Sequence, residues 1–143
     1  MSIDDPSGTA GMLLRLAVAF VLALPIGWER ELRERSPGLR TFPLVSLGSC
    51  GYLLLGHHVF GSALDAEGRV LQGLVTGIGF VGAGAILKGD KDVRGLATAA
   101  SIWNTAAVGA AAAYGSYVLG VALSVANFIT LHFLRTGQER AGR

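Results

Sequence analysis

The sequence is short of the side chains on which soluble enzymes depend. Only 15% of its 143 residues are charged, against about 25% in an average soluble domain. A single cysteine, Cys50, excludes an internal disulfide and any zinc or iron–sulfur centre built from cysteines. None of the ten acidic residues lies deep in an apolar stretch, which argues against an ion-coupled pump. Because no acid, base and nucleophile lie together along the chain, we expect no enzyme activity.

Hydrophobic residues, by contrast, are abundant enough to indicate a membrane protein. They make up 51% of the sequence, and the mean hydropathy is +0.51. A helix crosses the hydrocarbon core with about 20 apolar residues, and backbone polar groups in lipid must be paired internally. We therefore predict an all-α, polytopic bundle of five transmembrane helices embedded in the lipid bilayer, with no nucleic-acid partner. The predicted spans are 11–28, 42–60, 70–87, 96–114 and 117–134.

The distribution of positive charge predicts the orientation of this bundle. Ten of the twelve Lys and Arg residues fall between spans one and two, between spans three and four, or after span five. Cytoplasmic connections are enriched in these residues. We thus expect residues 1–10 outside, the transmembrane domain at 11–134, and residues 135–143 as a cytoplasmic tail.

Glycine is concentrated in the third span, which reads TGIGFVGAGAIL at 76–87. Its glycines, at positions Gly77, Gly79, Gly82 and Gly84, have the spacing of a dinucleotide-binding loop, but that loop requires a preceding strand and access from water. Close helix packing explains them better and predicts a central third helix contacted from two sides. Such faces would also allow a homodimer. An alternative is local unwinding that exposes carbonyl groups to a cation or solute.

Polar residues form a stripe on the fourth span. Thr98, Ser101, Asn104 and Thr105 fall within an arc of about 120°. Hydrogen bonding between helices is the favoured interpretation. The alternative is the lining of a polar cavity, in which Asn104 would be the most capable group because its amide both donates and accepts.

Alternating charges follow the first span, beginning at Glu29. Acid-first pairs four residues apart predict one or two further helical turns beyond the membrane. Arg40 precedes the second span and could dock against Glu29 or the third connection. That connection holds Asp90 and Asp92, which with Glu29 are weak candidates for Mg²⁺ ligands because the ion prefers oxygen donors. For the histidines and acids on the opposite side, at 57, 58, 65 and 67, a structural role is favoured over divalent-ion binding.

Several motifs together resemble the transmembrane domain of the MgtC/SapB family. They are IGWERELR at 26–33, PGLRT at 37–41, GIGFVGAGAIL at 77–87 and VRGLATAASIW at 93–103. The resemblance implies a bacterial inner-membrane protein associated with growth in low magnesium and, in pathogens, with survival inside macrophages. Some relatives are described as acting on the F-type ATP synthase. The implied signature positions are Glu29, Arg30, Arg40, Thr41, Gly77, Gly79, Gly82, Gly84, Arg94, Gly95, Thr98, Ala99 and Trp103; Asn104 is not part of that pattern. Longer relatives carry an ACT-like domain after the membrane region. Because this sequence ends nine residues after Leu134, the resemblance implies the short form, without that domain.

Two functions remain open at this point. The first is a non-enzymatic regulatory protein that binds other membrane proteins through small-residue helix faces. The alternative is a channel or carrier for a cation such as Mg²⁺, or for another small solute, with the third helix and the stripe from Thr98 to Thr105 lining its path.

Overall fold

The computed structural model describes residues 8–32, 38–61, 63–88 and 93–133, and within these ranges the chain forms five helices. The elements in chain order are α1 Thr9–Glu31, α2 Thr41–Phe60, α3 Leu64–Ala83, β1 Leu87–Lys88, β2 Val93–Arg94, α4 Leu96–Ala113 and α5 Tyr117–Phe133. The predicted all-α class with five helices is confirmed. One detail of the all-α prediction is corrected: the two ends of the connection between the third and fourth helices pair as the short antiparallel strands β1 and β2.

Four of the five predicted spans agree closely with the observed helices. The second, fourth and fifth agree within one residue at each end, and α1 continues to Glu31, one turn past the predicted span. The acid-first pairs proposed for that extension involve Arg33 and Arg35, which lie outside the described residues. The third span is displaced: α3 begins at Leu64 and ends at Ala83. Asp65 and Glu67 occupy its first turn, where the helix dipole favours negative charge.

The outer surface of the bundle is apolar. Large hydrophobic side chains are exposed on every helix, including Leu13, Leu55, Phe80, Trp103 and Val118. Surfaces of this kind are rare on soluble monomers, whereas lipid tails cover them without cost. Two helices, α1 and α4, are long and apolar enough to cross a membrane, and α5 is a shorter apolar helix. The chain is therefore a polytopic membrane bundle.

The fourth helix is the centre of the bundle. It packs against α1, α2, α3 and α5. Its small residues let four neighbours approach, and most of it is buried. The prediction that the third helix is central was wrong: α3 packs mainly against α2 and α4, and its buried residues are Ile78 and Gly82.

Close backbone contacts hold α4 and its neighbours together. A Cβ atom at Gly109 would overlap the backbone of Ser46, so α2 and α4 cross at this glycine. Two serine hydroxyls donate to backbone carbonyls of α1: Ser46 Oγ to Ala19 O at 2.7 Å and Ser124 Oγ to Leu22 O at 2.6 Å. In lipid, such packing and hydrogen bonding replace the hydrophobic drive that assembles soluble bundles.

Candidate functional site

Two oppositely charged side chains are buried where α1 ends. Glu29 is 4% exposed and Arg30 is 6% exposed. Isolated charges in an apolar surrounding are costly, so buried ones are held by partners. Arg30 also lies in the last turn of α1, where the helix dipole favours a cation. Both signature residues are therefore structural anchors of this end of the bundle, whatever else they do.

Arg30 binds the start of α4. Its Nη2 donates to Thr98 Oγ1 at 2.7 Å, and Thr98 is itself 5% exposed. Gly95 sets the position of Thr98 because it adopts a left-handed conformation (φ 88°) at the N-cap of α4. A Cβ at Gly95 would overlap the carbonyl oxygen of Ala85, so the entry to α4 lies directly on the turn that follows α3.

Glu29 binds the end of α5. Its Oε2 lies 3.0 Å from Nδ1 of His132, whose side chain is 44% exposed. The imidazole stacks on Phe128, with ring centroids 5.6 Å apart, and meets Phe133 edge-on at 4.6 Å. The cluster of Glu29, Arg30, Thr98 and His132, hereafter the charged cluster, thus joins the ends of α1, α4 and α5.

The polar stripe of α4 is used for bonds between helices. Ser101 Oγ donates to Asn127 Oδ1 at 2.8 Å, and Asn127 Nδ2 lies 3.2 Å from Ser101 O and 3.3 Å from Thr105 Oγ1. Asn104 Nδ2 donates to Leu123 O at 3.2 Å. The interhelical interpretation is confirmed by these contacts with α5, and they leave the predicted polar cavity without support.

The four signature glycines at the end of the third span have three kinds of surroundings. Gly82 fits the packing prediction, since a Cβ there would lie 3.3 Å from Ala99 O of α4. At Gly77 and Gly79 the expectation of close packing within the chain was wrong, because an added Cβ would have no neighbour within 4 Å among the described residues. Gly84 caps the helix and meets only carbonyls of its own last turn. The helix is continuous from Leu64 to Ala83, so neither the local unwinding nor the dinucleotide loop is observed.

The other predicted residues lie at the start of α2 and at the end of β2. Arg40 lies at the N-cap position of α2, and within the described part of the chain its exposed side chain makes no hydrogen bond or ion pair, so it does not dock against Glu29 there. The other predicted partner, the third connection, falls on residues 89–92, which lie outside the described residues. Arg40 and Thr41 border one end of a groove between α2 and α3. Arg94 is exposed on β2, opposite Leu87.

The candidate Mg²⁺ ligands do not form a site among the described residues. Asp90 and Asp92 lie outside them, and no group of three potential ligands occurs in the part that is described. On the opposite side of the bundle, His57 pairs with Glu67 and so joins α2 to α3. The structural role favoured for that pair fits this contact, and a Mg²⁺ site at Glu29, Asp90 and Asp92 stays a prediction.

Two residues of this region were missed by sequence reasoning. Neither His132 nor Asn127 was identified from the sequence as a site residue. The sequence contains a signal for each. Glu29 follows an apolar stretch, and a carboxylate in apolar surroundings requires a hydrogen-bond donor. The hydroxyl and amide groups of the α4 stripe require polar partners on a neighbouring helix. Asn127, seven residues after Gly120, meets that requirement because both residues are buried on one face of α5.

The family model and the relatives that the chain resembles all indicate the same protein family. The model of the MgtC family matches residues 16–140. The chain is 37% identical over 129 residues to a protein of Escherichia coli (strain K12) named "Putative magnesium transporter YhiD", covering 86% of this chain and 60% of that protein. It is 38% identical over 133 residues to protein SrpB of Synechococcus elongatus, covering 85% and 71%.

A third relative is protein MgtC of Salmonella typhimurium, which is 35% identical over 128 residues, with 90% of this chain and 54% of that protein covered. The chain therefore spans little more than half the length of MgtC and about 60% of YhiD. No solved structure matches the chain. The family match covers all five helices except the start of the first, and the chain belongs to the MgtC family.

Proposed function

We propose that the protein is a non-enzymatic membrane protein that supports adaptation to low magnesium by binding and regulating other membrane proteins. The magnesium connection rests on the family and on the name of the Escherichia coli relative, "Putative magnesium transporter YhiD". The proposal includes a bacterial inner membrane as its location, with the amino terminus outside and the carboxyl terminus in the cytoplasm, as the distribution of basic residues favours.

The observation that carries the proposal is the open glycine face of α3. Gly73 and Gly77 lie one turn apart on the same side of the helix, and an added Cβ at either would meet nothing within 4 Å. Small residues allow another helix to approach closely. No described part of the chain covers this face, so a helix of another membrane protein can pack there. The F-type ATP synthase and a second copy of the chain are the two partners to test first.

The charged cluster supports this proposal because it holds α1, α4 and α5 in place. Through Arg30–Thr98 and Glu29–His132 it ties three helix ends together. Because α3 contributes no residue to these two contacts, a partner can pack against α3 while α1, α4 and α5 keep their positions.

Transport is the second candidate, and the name of the Escherichia coli relative, "Putative magnesium transporter YhiD", favours it. Two observations argue against a path along α3 and α4. The carbonyl oxygens of Phe80, Gly82 and Ala83 at the end of α3 already accept hydrogen bonds from Gly84 N, Ala85 N and Ile86 N. The polar stripe of α4 is bonded to α5.

A paired experiment separates the two functions. The purified full chain is reconstituted in liposomes with an internal fluorescent Mg²⁺ indicator, and we expect influx equal to that of protein-free liposomes. In parallel, the tagged chain is recovered from solubilised membranes and probed for F-type ATP synthase subunits and, by blue-native electrophoresis, for a dimer. We expect one of these associations, and we expect Gly77→Leu to abolish it.

Gly79→Leu is the matched control because Gly79 is equally open but lies on the other side of α3. Retained association in Gly79→Leu together with its loss in Gly77→Leu supports the regulatory function. Mg²⁺ influx that scales with protein and is lost in Asn104→Leu would replace it with transport. Association that survives Gly77→Leu would show that the glycine face is not the binding surface.

A further inference from the structure

A second feature of the outer surface is a groove between α2 and α3 that opens away from the bundle. Its volume is about 350 Å³, within the usual size range of small-molecule sites. One face of α2 and one face of α3 form its walls, and nearly all of the wall is apolar. The lining residues are Arg40, Thr41, Leu44, Val45, Gly48, Ser49, Tyr52, Leu74, Ile78 and Val81.

The length of the groove corresponds to one leaflet of the membrane. Along α2 it runs from Thr41 to Tyr52, which at 1.5 Å per residue is about 16 Å. Half of the hydrocarbon core is about 15 Å thick. A groove of this length that begins at the membrane surface beside Arg40 would end near the middle of the bilayer.

The chemistry of the groove changes sharply at its surface end. Arg40 is exposed there, and in the described part of the chain its guanidinium has no hydrogen bond or ion pair. A guanidinium group binds phosphate through two parallel hydrogen bonds, and a basic residue at the membrane surface attracts anionic lipid. The apolar remainder offers dispersion contacts that an empty groove would forfeit.

We propose that this groove binds an anionic phospholipid of the adjacent leaflet, with an acyl chain lying between α2 and α3 and the phosphate against Arg40. Each part of the lipid matches one part of the groove. The acyl chain fits the apolar walls, which extend over the depth of one leaflet, and the phosphate headgroup meets Arg40 at the surface end. The bound lipid would cover Leu44 and Val81, which are exposed in the chain alone.

The headgroup half of the proposal is tested with Arg40→Gln. The full chain in mild detergent is titrated with phosphatidylglycerol or phosphatidylcholine, and lipid adducts are counted by native mass spectrometry. We expect phosphatidylglycerol to bind wild type more tightly than phosphatidylcholine, and Arg40→Gln to weaken phosphatidylglycerol binding about fivefold. Arg69→Gln is the matched control because Arg69 is also an exposed arginine of a membrane helix but does not line the groove.

The acyl-chain half is tested with Gly48→Leu, which leaves Arg40 intact. An added Cβ at Gly48 meets no atom within 4 Å, so a leucine there projects into the groove without disturbing the fold. We expect this variant to lose phosphatidylglycerol adducts, while Gly79→Leu, an equally open glycine outside the groove, retains them. Inorganic phosphate at millimolar concentration should leave the adducts unchanged if the site recognises a lipid rather than free phosphate.

The proposal is overturned by equal binding of the two lipids, by equal losses in Arg40→Gln and Arg69→Gln, or by full binding in Gly48→Leu. A dimer on blue-native electrophoresis that Gly48→Leu dissociates would assign the groove to a second copy of the chain instead. These outcomes are independent of the regulatory function, which depends on Gly77 rather than on Gly48 or Arg40.

Discussion

The third and fourth helices are both rich in small residues, yet Gly77 and Gly79 of α3 have surroundings opposite to those of Gly109 of α4. Gly109 of α4 faces the backbone of Ser46, where an added Cβ would overlap it, whereas an added Cβ at Gly77 or Gly79 of α3 meets nothing. The fourth helix is packed by four neighbours, and the third lies at the edge of the bundle. The same residue type therefore closes a contact within the chain in one helix and leaves a surface available in the other.

The largest test of this difference is alanine substitution at matched glycines. Gly109→Ala should destabilise the protein by about 3 kcal/mol, because the added methyl group overlaps a backbone carbonyl that cannot move without shifting α2. Gly79→Ala should change the free energy of unfolding by less than about 1 kcal/mol, and in the stabilising direction, since alanine is the better helix former. Unfolding of both variants in detergent micelles is followed by circular dichroism. Equal destabilisation would show that α3 is packed as tightly as α4.

A smaller effect is expected from a pair of threonines on the same two helices. Thr98→Val should cost about 2 kcal/mol because the buried guanidinium of Arg30 loses the hydroxyl that accepts its hydrogen bond. Thr76→Val should cost less than about 0.5 kcal/mol, since Thr76 is exposed and its hydroxyl bonds only to Gln72 O of its own helix. Valine keeps the shape of threonine in both cases. The same unfolding assay applies, and a neutral Thr98→Val would remove Thr98 from the charged cluster.

The smallest effect is expected at Asn104. Asn104→Leu removes one hydrogen bond, to Leu123 O of α5, and bonds of this kind contribute about 0.6 kcal/mol in membrane bundles. A small loss of stability with unchanged behaviour in the liposome assay would confirm that α4 is a packed helix. A loss of Mg²⁺ influx from an otherwise stable protein would instead identify Asn104 as part of a path.

Much of the fold could be predicted from the sequence because membrane helices are recognisable as long apolar stretches. The exception is α3, whose first turns carry Asp65, Glu67 and Arg69, so that the apolar part begins later than the helix does. Its end was misplaced for a different reason: glycine and apolar residues continue to Leu87, but the helix ends at Ala83 and the chain turns at Gly84 and Ala85 before β1 pairs with β2.

The candidate site could be predicted only in part. The motifs supplied Glu29, Arg30, Gly95 and Thr98, and the structure brings all four to the same end of the bundle. The partnership of Glu29 with His132 spans 103 positions of the chain, and no local pattern encodes it. Which glycines are covered was equally hidden, because the periodicity of a helix identifies a face but not whether another helix lies against it.

The crossing of α2 and α4 has a consequence for how far these helices can move. Gly109 has a hydrogen where other residues have Cβ, and that hydrogen points at the carbonyl of Ser46, which is the arrangement of a weak Cα–H···O bond. Sliding α2 by one turn along α4 would bring the side chain of Thr105 or Ala113, which share the helix face of Gly109, towards the same carbonyl. The contact therefore fixes the register of α2 against α4. Any motion that accompanies function is expected to rotate or displace α3 rather than to slide α2 along α4.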